Sequence, residues 1–226
     1  MKLATIVKAA ALAGAALLVS GQTNRNWNTV IAEVAGAHQI GNPEAKVKLV
    51  EFVSYTCPHC ATFTREADDR IKLGYVMPGN LNLEVRHLIR DPVDLTVVML
   101  ANCGPASKFP QNHSTFMLQQ AKWIAPLGNA SAAQRARWTS GDGRARRRAI
   151  AADFGFYEMM EGRGYSRSEV DRCLSDEAAA TRFAEQSQKD WGRPGIGGTP
   201  SFAINGVVMP GTHTWDVLEQ QIKDFL

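Results

Sequence analysis

The sequence predicts an α/β chain in which a long helical segment interrupts a strand, helix, strand unit before the chain returns to a hairpin and a last helix. Three observations carry this. A run rich in Val and Phe leads straight into Cys57-Pro58, the stretch from Val93 to Trp191 loses all strand-like alternation, and Asn205-Gly206 separates two apolar triplets near the C-terminus.

Taken in order, KVKLVEFVSY from Lys46 to Tyr55 reads as a buried strand bounded by Pro43 and Pro58. Pro58 suits the first turn of a helix, where its missing N–H is not needed, and Phe63, Ala67, Ile71 and Tyr75 continue on helical spacing. LNLEVRHLI from Leu81 to Ile89 is a second strand, so the first part of the fold reads as a βαβ unit. TFMLQQAKWI and RRAIAADFGFYEMM typify the helical block that follows, with looser stretches at Leu127 to Ser131 and Thr139 to Gly143. The hairpin at Asn205-Gly206 closes the order, with Thr214 placed to cap a helix whose Trp215, Leu218, Ile222 and Phe225 share one face. This order alone is compatible with several folds.

Composition excludes some functions. With 226 residues and 45% hydrophobic content the chain can build a sizeable core. The first 21 residues have an early Lys, an apolar run from Ala9 to Val19 and a small-residue exit, the layout of a secretory signal peptide cleaved after Gly21. An uncleaved anchor is the alternative, although the apolar run is short for a membrane span, and Gln22 in place of Cys gives no sign of a lipoprotein. The net charge of +3 includes Lys2 and Lys8, so removing the leader leaves about +1 and no electrostatic case for a nucleic-acid partner. Arg144 to Arg148, RARRR, reads as a solvated helix face.

The chemistry sits in YTCPHCATF. Cys57 and Cys60 are three apart where a strand turns into a helix, so they can close or open a disulfide within one turn. Cys57 faces the unpaired N–H groups of the helix start, which favour a thiolate, and Cys60, one turn inward, is the resolving thiol. His59 can add a donor or a positive charge beside the Cys57 sulfur. A haem tether would need His at position 61, which is Ala, and a zinc site would need a second pair, whereas Cys103 and Cys173 are far apart in sequence. No metal site is therefore expected, and no cofactor beyond a redox-active Cys57–Cys60 disulfide.

VEFVSYTCPHC together with GGTPSF resembles the DsbA-like thiol:disulfide oxidoreductases of the bacterial periplasm, members of the thioredoxin superfamily. The resemblance runs from about Ala37 to the C-terminus. It implies a thioredoxin-like fold with an inserted helical domain: residues 22–92 and 192–226 form the thioredoxin-like domain, 93–191 the insert, and 1–21 the leader. It also implies a cis Thr199-Pro200 bond whose loop lies against the active-site disulfide of the Cys57-Pro58-His59-Cys60 motif and offers a backbone edge to an extended substrate, a trans proline ending a glycine-rich loop being the alternative. Glu51, six residues before Cys57, matches a buried acid of the family that could accept or return the Cys60 proton; a place on the solvent face of the strand is the alternative, and Arg86 and His87 are candidate partners for it. Cys103 and Cys173, in ANCG and DRCL, look similar to the two halves of a bridge in the helical domain of some relatives, two buried free thiols being the alternative. His113 reads as core or surface, and His213 comes near the site without an assigned role.

The implied function is an exported dithiol oxidase that passes its disulfide to reduced or unfolded secreted proteins and is reoxidised by a quinone-linked membrane protein. A disulfide isomerase or reductase using the same pair, and a chaperone binding substrates without turnover, are the alternatives.

Overall fold

A computed structural model describes residues 25–226; the leader reading at 1–21 lies outside the described residues. The described chain forms a six-stranded sheet in the order β1-β2-β4-β3-β5-β6. Its centre is β3 (Val47–Val53) beside β4 (Leu81–His87) in parallel, with α1 (Pro58–Ile71) as the crossover. Val47, Leu49 and Val53 of β3 bury completely against Phe63, Ala67 and Ile71 of α1, the stripe that helical spacing predicts. Beyond Ile71 the helix runs into a π-helical turn over Lys72–Val76, which shifts Tyr75 off that stripe and lets its hydroxyl reach Glu219 at 3.0 Å.

Before this unit lies a hairpin absent from the sequence reading. β1 (Ile31–Val34) pairs with β2 (Ala37–Gly41), and β2 pairs antiparallel with β4. Gly36, at φ 71°, makes the tight turn. At the other edge β5 (Ser201–Ile204) pairs with β3, and β6 (Val207–Val208) with β5. Asn205 (φ 49°) and Gly206 (φ 84°) supply the two left-handed residues this turn requires. The last helix, α11 (Trp215–Phe225), buries Trp215, Leu218 and Ile222; Thr214 occupies the cap position, but its side chain makes no capping hydrogen bond.

Helices α2 (Pro92–Ala101) through α10 (Glu177–Trp191) fill the interval between β4 and β5: α3 (Phe109–Leu118), α4 (Gln120–Trp123), α5 (Ala125–Asn129), α6 (Ala132–Thr139), α7 (Gly143–Asp153), α8 (Phe156–Glu161) and α9 (Arg167–Leu174). The stretch expected to be loose at Leu127 is the end of α5, and α6 starts in a capping box built by Ser131 and Gln134. Apolar side chains of these helices and of the sheet form one continuous cluster. Aromatic rings link them, Tyr55 against Phe116, Phe116 against Phe156, and Phe156 against Trp123. Cys103, just after α2, and Cys173, in α9, are joined by a disulfide with a Cα–Cα distance of 5.7 Å.

The RARRR segment follows the expected solvated face at Arg144 and Arg148 and departs from it at Arg147. It lies in α7, but Arg147 is buried: its Nε donates to the Leu174 carbonyl at 2.7 Å, and its other nitrogen pairs with Glu177. A guanidinium thus satisfies a carbonyl at the end of α9, where the helix has no N–H of its own to offer.

Candidate active site

The backbone after β3 leaves the sheet through Ser54-Tyr55-Thr56, all buried, and enters α1 at Cys57. Cys57 occupies the cap position with extended dihedrals and Pro58 follows in the first turn, so the Cys57 sulfur faces the start of the helix. Its thiol is pulled down to about 5. The leading cause is the hydrogen bond from the Cys60 thiol; burial opposes it, and the Thr199 side chain and the N–H groups of Cys60 and His59 add to it. The contribution of His59 seen here is thus its backbone N–H, while its ring is exposed at the mouth of a groove. Cys60 is fully buried, and desolvation first, then the hydrogen bond and charge of Cys57, push its thiol far above the ordinary range. One of the two sulfurs is therefore a ready thiolate and the other a protonated thiol.

Across the site, the Thr199-Pro200 bond is cis and the Thr199 carbonyl oxygen lies 3.2 Å from the Cys57 sulfur. His213 Nδ1 sits 2.9 Å from the Pro200 carbonyl, tying this loop to the segment before α11. Between the loop and α1 opens a groove of about 610 Å³ lined by His59, Phe63, Thr199, Pro200, Met209 and His213. In its wall, Cβ atoms on Gly197 and Gly198 would meet no other atom within 4 Å, so these glycines leave backbone open to whatever enters.

Glu51 lies beneath the pair, 6% exposed, opposite Val85 on one side and Phe202 on the other. Burial above all, with the Asp68 carboxylate adding to it and Lys72 opposing it, raises its carboxyl to about 8. Its charge in turn pushes the Cys60 thiol up. The expected partners do not meet it. Arg86 is paired with Phe52, one residue along from Glu51, so it points to the opposite face of the sheet and binds Glu84 and Asp190. His87 packs among Tyr55, Phe109 and Phe183, where burial lowers it to about 3, and its ring bonds Asn102.

Three residues of the insert, and Asp91 at its entrance, hold the loop before Cys57, and sequence reasoning did not connect them with the site. Asp94, fully buried, accepts hydrogen bonds from Ser54 Oγ (2.6 Å), Tyr55 N (2.8 Å) and Arg90 N (3.1 Å), and desolvation raises it to about 7. Asp91 accepts from Thr56 Oγ1 at 2.7 Å. His113, held neutral by burial at about 3, lies 2.9 Å from the Tyr55 hydroxyl. Gln120 Nε2 donates to the carbonyls of Tyr55 (2.6 Å) and Cys57 (2.9 Å). Cys103 and Cys173, bonded to each other, are excluded as zinc ligands for the Cys57–Cys60 pair.

Comparison with known proteins agrees with this geometry. The sequence profile described as thioredoxin matches residues 33–224. A Rickettsia conorii protein that carries the provisional name protein-disulfide oxidoreductase is 27% identical over 83% of this chain and 59% of its own, and a Rickettsia prowazekii relative of the same provisional name is 30% identical over 74% and 54%. The chain thus spans little more than half the length of these curated relatives. Among solved structures, a protein-disulfide isomerase from Novosphingobium aromaticivorans is 48% identical, covers 85% of this chain and 98% of its own, and superposes with a TM-score of 0.82. Wolbachia pipientis alpha-DsbA1, at 20% identity, shares the fold with a TM-score of 0.64 over 88% of this chain and 95% of its own. A Cys-Pro-His-Cys pair at the head of the crossover helix, a cis-proline loop facing it and the profile match over residues 33–224 place this chain in the thioredoxin family.

Proposed function

We propose that the protein is a dithiol oxidase that donates a Cys57–Cys60 disulfide to reduced proteins outside the cytosol. The observation that carries this reading is the division of the two thiols: a sulfur that is stable as an anion favours the reduced pair and so makes the disulfide oxidising. In the first half-reaction a substrate thiolate attacks Cys57 Sγ, a substrate–Cys57 disulfide forms, and Cys60 leaves as a thiolate. Glu51, protonated at neutral pH, is the donor of the proton Cys60 then takes up. In the second, another substrate thiolate attacks the substrate sulfur of the mixed disulfide, and Cys57 departs as its stable anion. The substrate dithiol has lost two electrons and the enzyme pair has gained them.

The groove between His59 and His213 and the open edge at Gly198-Thr199 suit an extended, unfolded substrate segment. Regeneration of the disulfide requires an electron acceptor, for which a quinone-linked membrane protein is the proposed partner. The leader-like N-terminus supports export to a periplasmic or other oxidising compartment.

A specific observation favours a second reading, isomerase activity: the 48% identical relative carries that name. Equilibration with glutathione, followed by assays on a reduced and on a scrambled test protein, separates the two. An oxidase stays mostly reduced against the glutathione couple and oxidises the reduced substrate; preferential turnover of the scrambled substrate from the dithiol form would replace this reading with isomerisation. Cys57→Ser abolishes both reactions, and substrate protection that survives it in the absence of wild-type turnover would indicate a chaperone.

A further inference from the structure

The helical insert grips the loop before Cys57 at every polar group of Tyr55. Its N–H donates to Asp94, its carbonyl accepts from Gln120, and its hydroxyl meets His113. The three residues that do this, Asp94, His113 and Gln120, belong to α2, α3 and α4, and Asp91 at the cap of α2 holds the next residue, Thr56. Gln120 is the member that also touches the nucleophile, because the same amide nitrogen donates to the Cys57 carbonyl. It is 4% exposed, so these bonds form in a site closed to water.

We infer that Gln120 is a positioning residue for the Cys57 nucleophile, holding the carbonyl oxygens of Tyr55 and Cys57 away from the reacting sulfur. The inference rests on the thiol-exchange reading above. Residue 58 is proline, so the Cys57–Pro58 peptide carries a carbonyl oxygen and no N–H. If that peptide rotates, it can bring only the negative end of a dipole toward the sulfur. Ala61 N also donates to the Cys57 carbonyl, at 3.3 Å, a longer contact than the 2.9 Å from Gln120. With both carbonyls turned into the insert, the Cys57 sulfur is left facing the N–H groups of His59 and Cys60. The insert thereby acts on the redox pair through backbone orientation, without touching substrate.

The test compares the reduced full chain with Gln120→Met, which removes the donors at similar volume. Val170→Ala, in the buried core of α9 away from the loop, serves as a control for plain destabilisation. Thiolate formation is followed by ultraviolet absorbance against pH, the redox equilibrium by glutathione titration, and stability by thermal unfolding. Gln120→Met is expected to raise the thiolate midpoint by about one unit and to shift the glutathione equilibrium about tenfold toward the disulfide, whereas Val170→Ala lowers the melting temperature and leaves both unchanged. A folded Gln120→Met with the wild-type midpoint and equilibrium overturns the inference. Should that variant fail to fold, Gln120→Asn decides in its place: its amide is one methylene too short to span both carbonyls, so a partial upward shift supports the role and an unchanged midpoint removes it. A wild-type thiolate that titrates like an ordinary cysteine instead defeats the oxidase reading itself, a result distinct from either outcome at Gln120.

Discussion

Two pairs of cysteines share this chain in opposite surroundings. Cys57 and Cys60 lie three residues apart at the head of α1, with one sulfur against N–H groups and the other in the core. Cys103 and Cys173 lie 70 residues apart and tie the end of α2 to α9, in apolar surroundings. The first pair has a neighbourhood that stabilises an anion and so favours opening. The second closes a long loop and gains its stabilisation from the unfolded chain, about 4 kcal/mol by loop-closure entropy for that separation. What sets the first pair apart is the field around Cys57, which stabilises the reduced pair, not the chemistry of the bond.

Removing each pair in turn tests this contrast most severely. Cys57→Ser should eliminate oxidation of a reduced test protein with little loss of stability. Replacing both Cys103 and Cys173 by Ala should leave turnover within about twofold while costing about 3–4 kcal/mol in denaturant unfolding. Loss of turnover in a folded double variant would tie the structural bridge to catalysis and break the contrast.

The buried acids sharpen it. Glu51 at about 8 and Asp94 at about 7 both lie above the ordinary carboxylate range of about 4. A raised folded value means the folded state holds its proton where the unfolded chain has released it. Stability from these groups is therefore complete below about pH 4 and lost as pH rises through about 7 to 8. Glu51→Gln and Asp94→Asn should each flatten that decline in a melting-temperature series. Only Glu51→Gln should also remove the dependence of the exchange rate on an ionisation near pH 8, measured by stopped-flow fluorescence, because only Glu51 lies electrostatically against Cys60.

The histidines move stability the other way. His87 and His113 are lowered to about 3 by burial, so the unfolded chain takes up protons first as pH falls below about 6.5. Stability they contribute above that value is lost progressively toward pH 3, and His113→Gln should lessen the loss in acid unfolding. The smallest effect is expected at Arg147, where Met in its place frees the Leu174 carbonyl and Glu177 and should cost about 1–2 kcal/mol without altering thiol exchange.

How much of this was legible in the sequence follows the reach of each signal. The strand before Cys57, the helix after it and the Asn205-Gly206 turn have short-range signatures, apolar alternation, a first-turn proline and a left-handed dipeptide, and the structure has all three. The β1–β2 hairpin went unread because its strands are four and five residues long, and its outer strand is only partly buried. Cys57 and the Thr199-Pro200 loop were identified by motif, and the sheet order brings them together across 142 positions. Asp94, His113 and Gln120 were missed for the opposite reason. Each meets the loop from 39 to 65 positions away in sequence, and an isolated Asp, His or Gln on a helix carries no mark of what it will face. Arg147 was misread because a run of arginines says nothing about which member turns inward toward an unpaired carbonyl.

The most direct measurement is the pH titration of the Cys57 thiolate in the reduced protein, read by ultraviolet absorbance, with Cys57→Ser supplying the baseline. One ionisation with a midpoint near 5 is expected, with no thiolate from Cys60 across the neutral range. A midpoint near 8.5, that of an unperturbed cysteine, would contradict it.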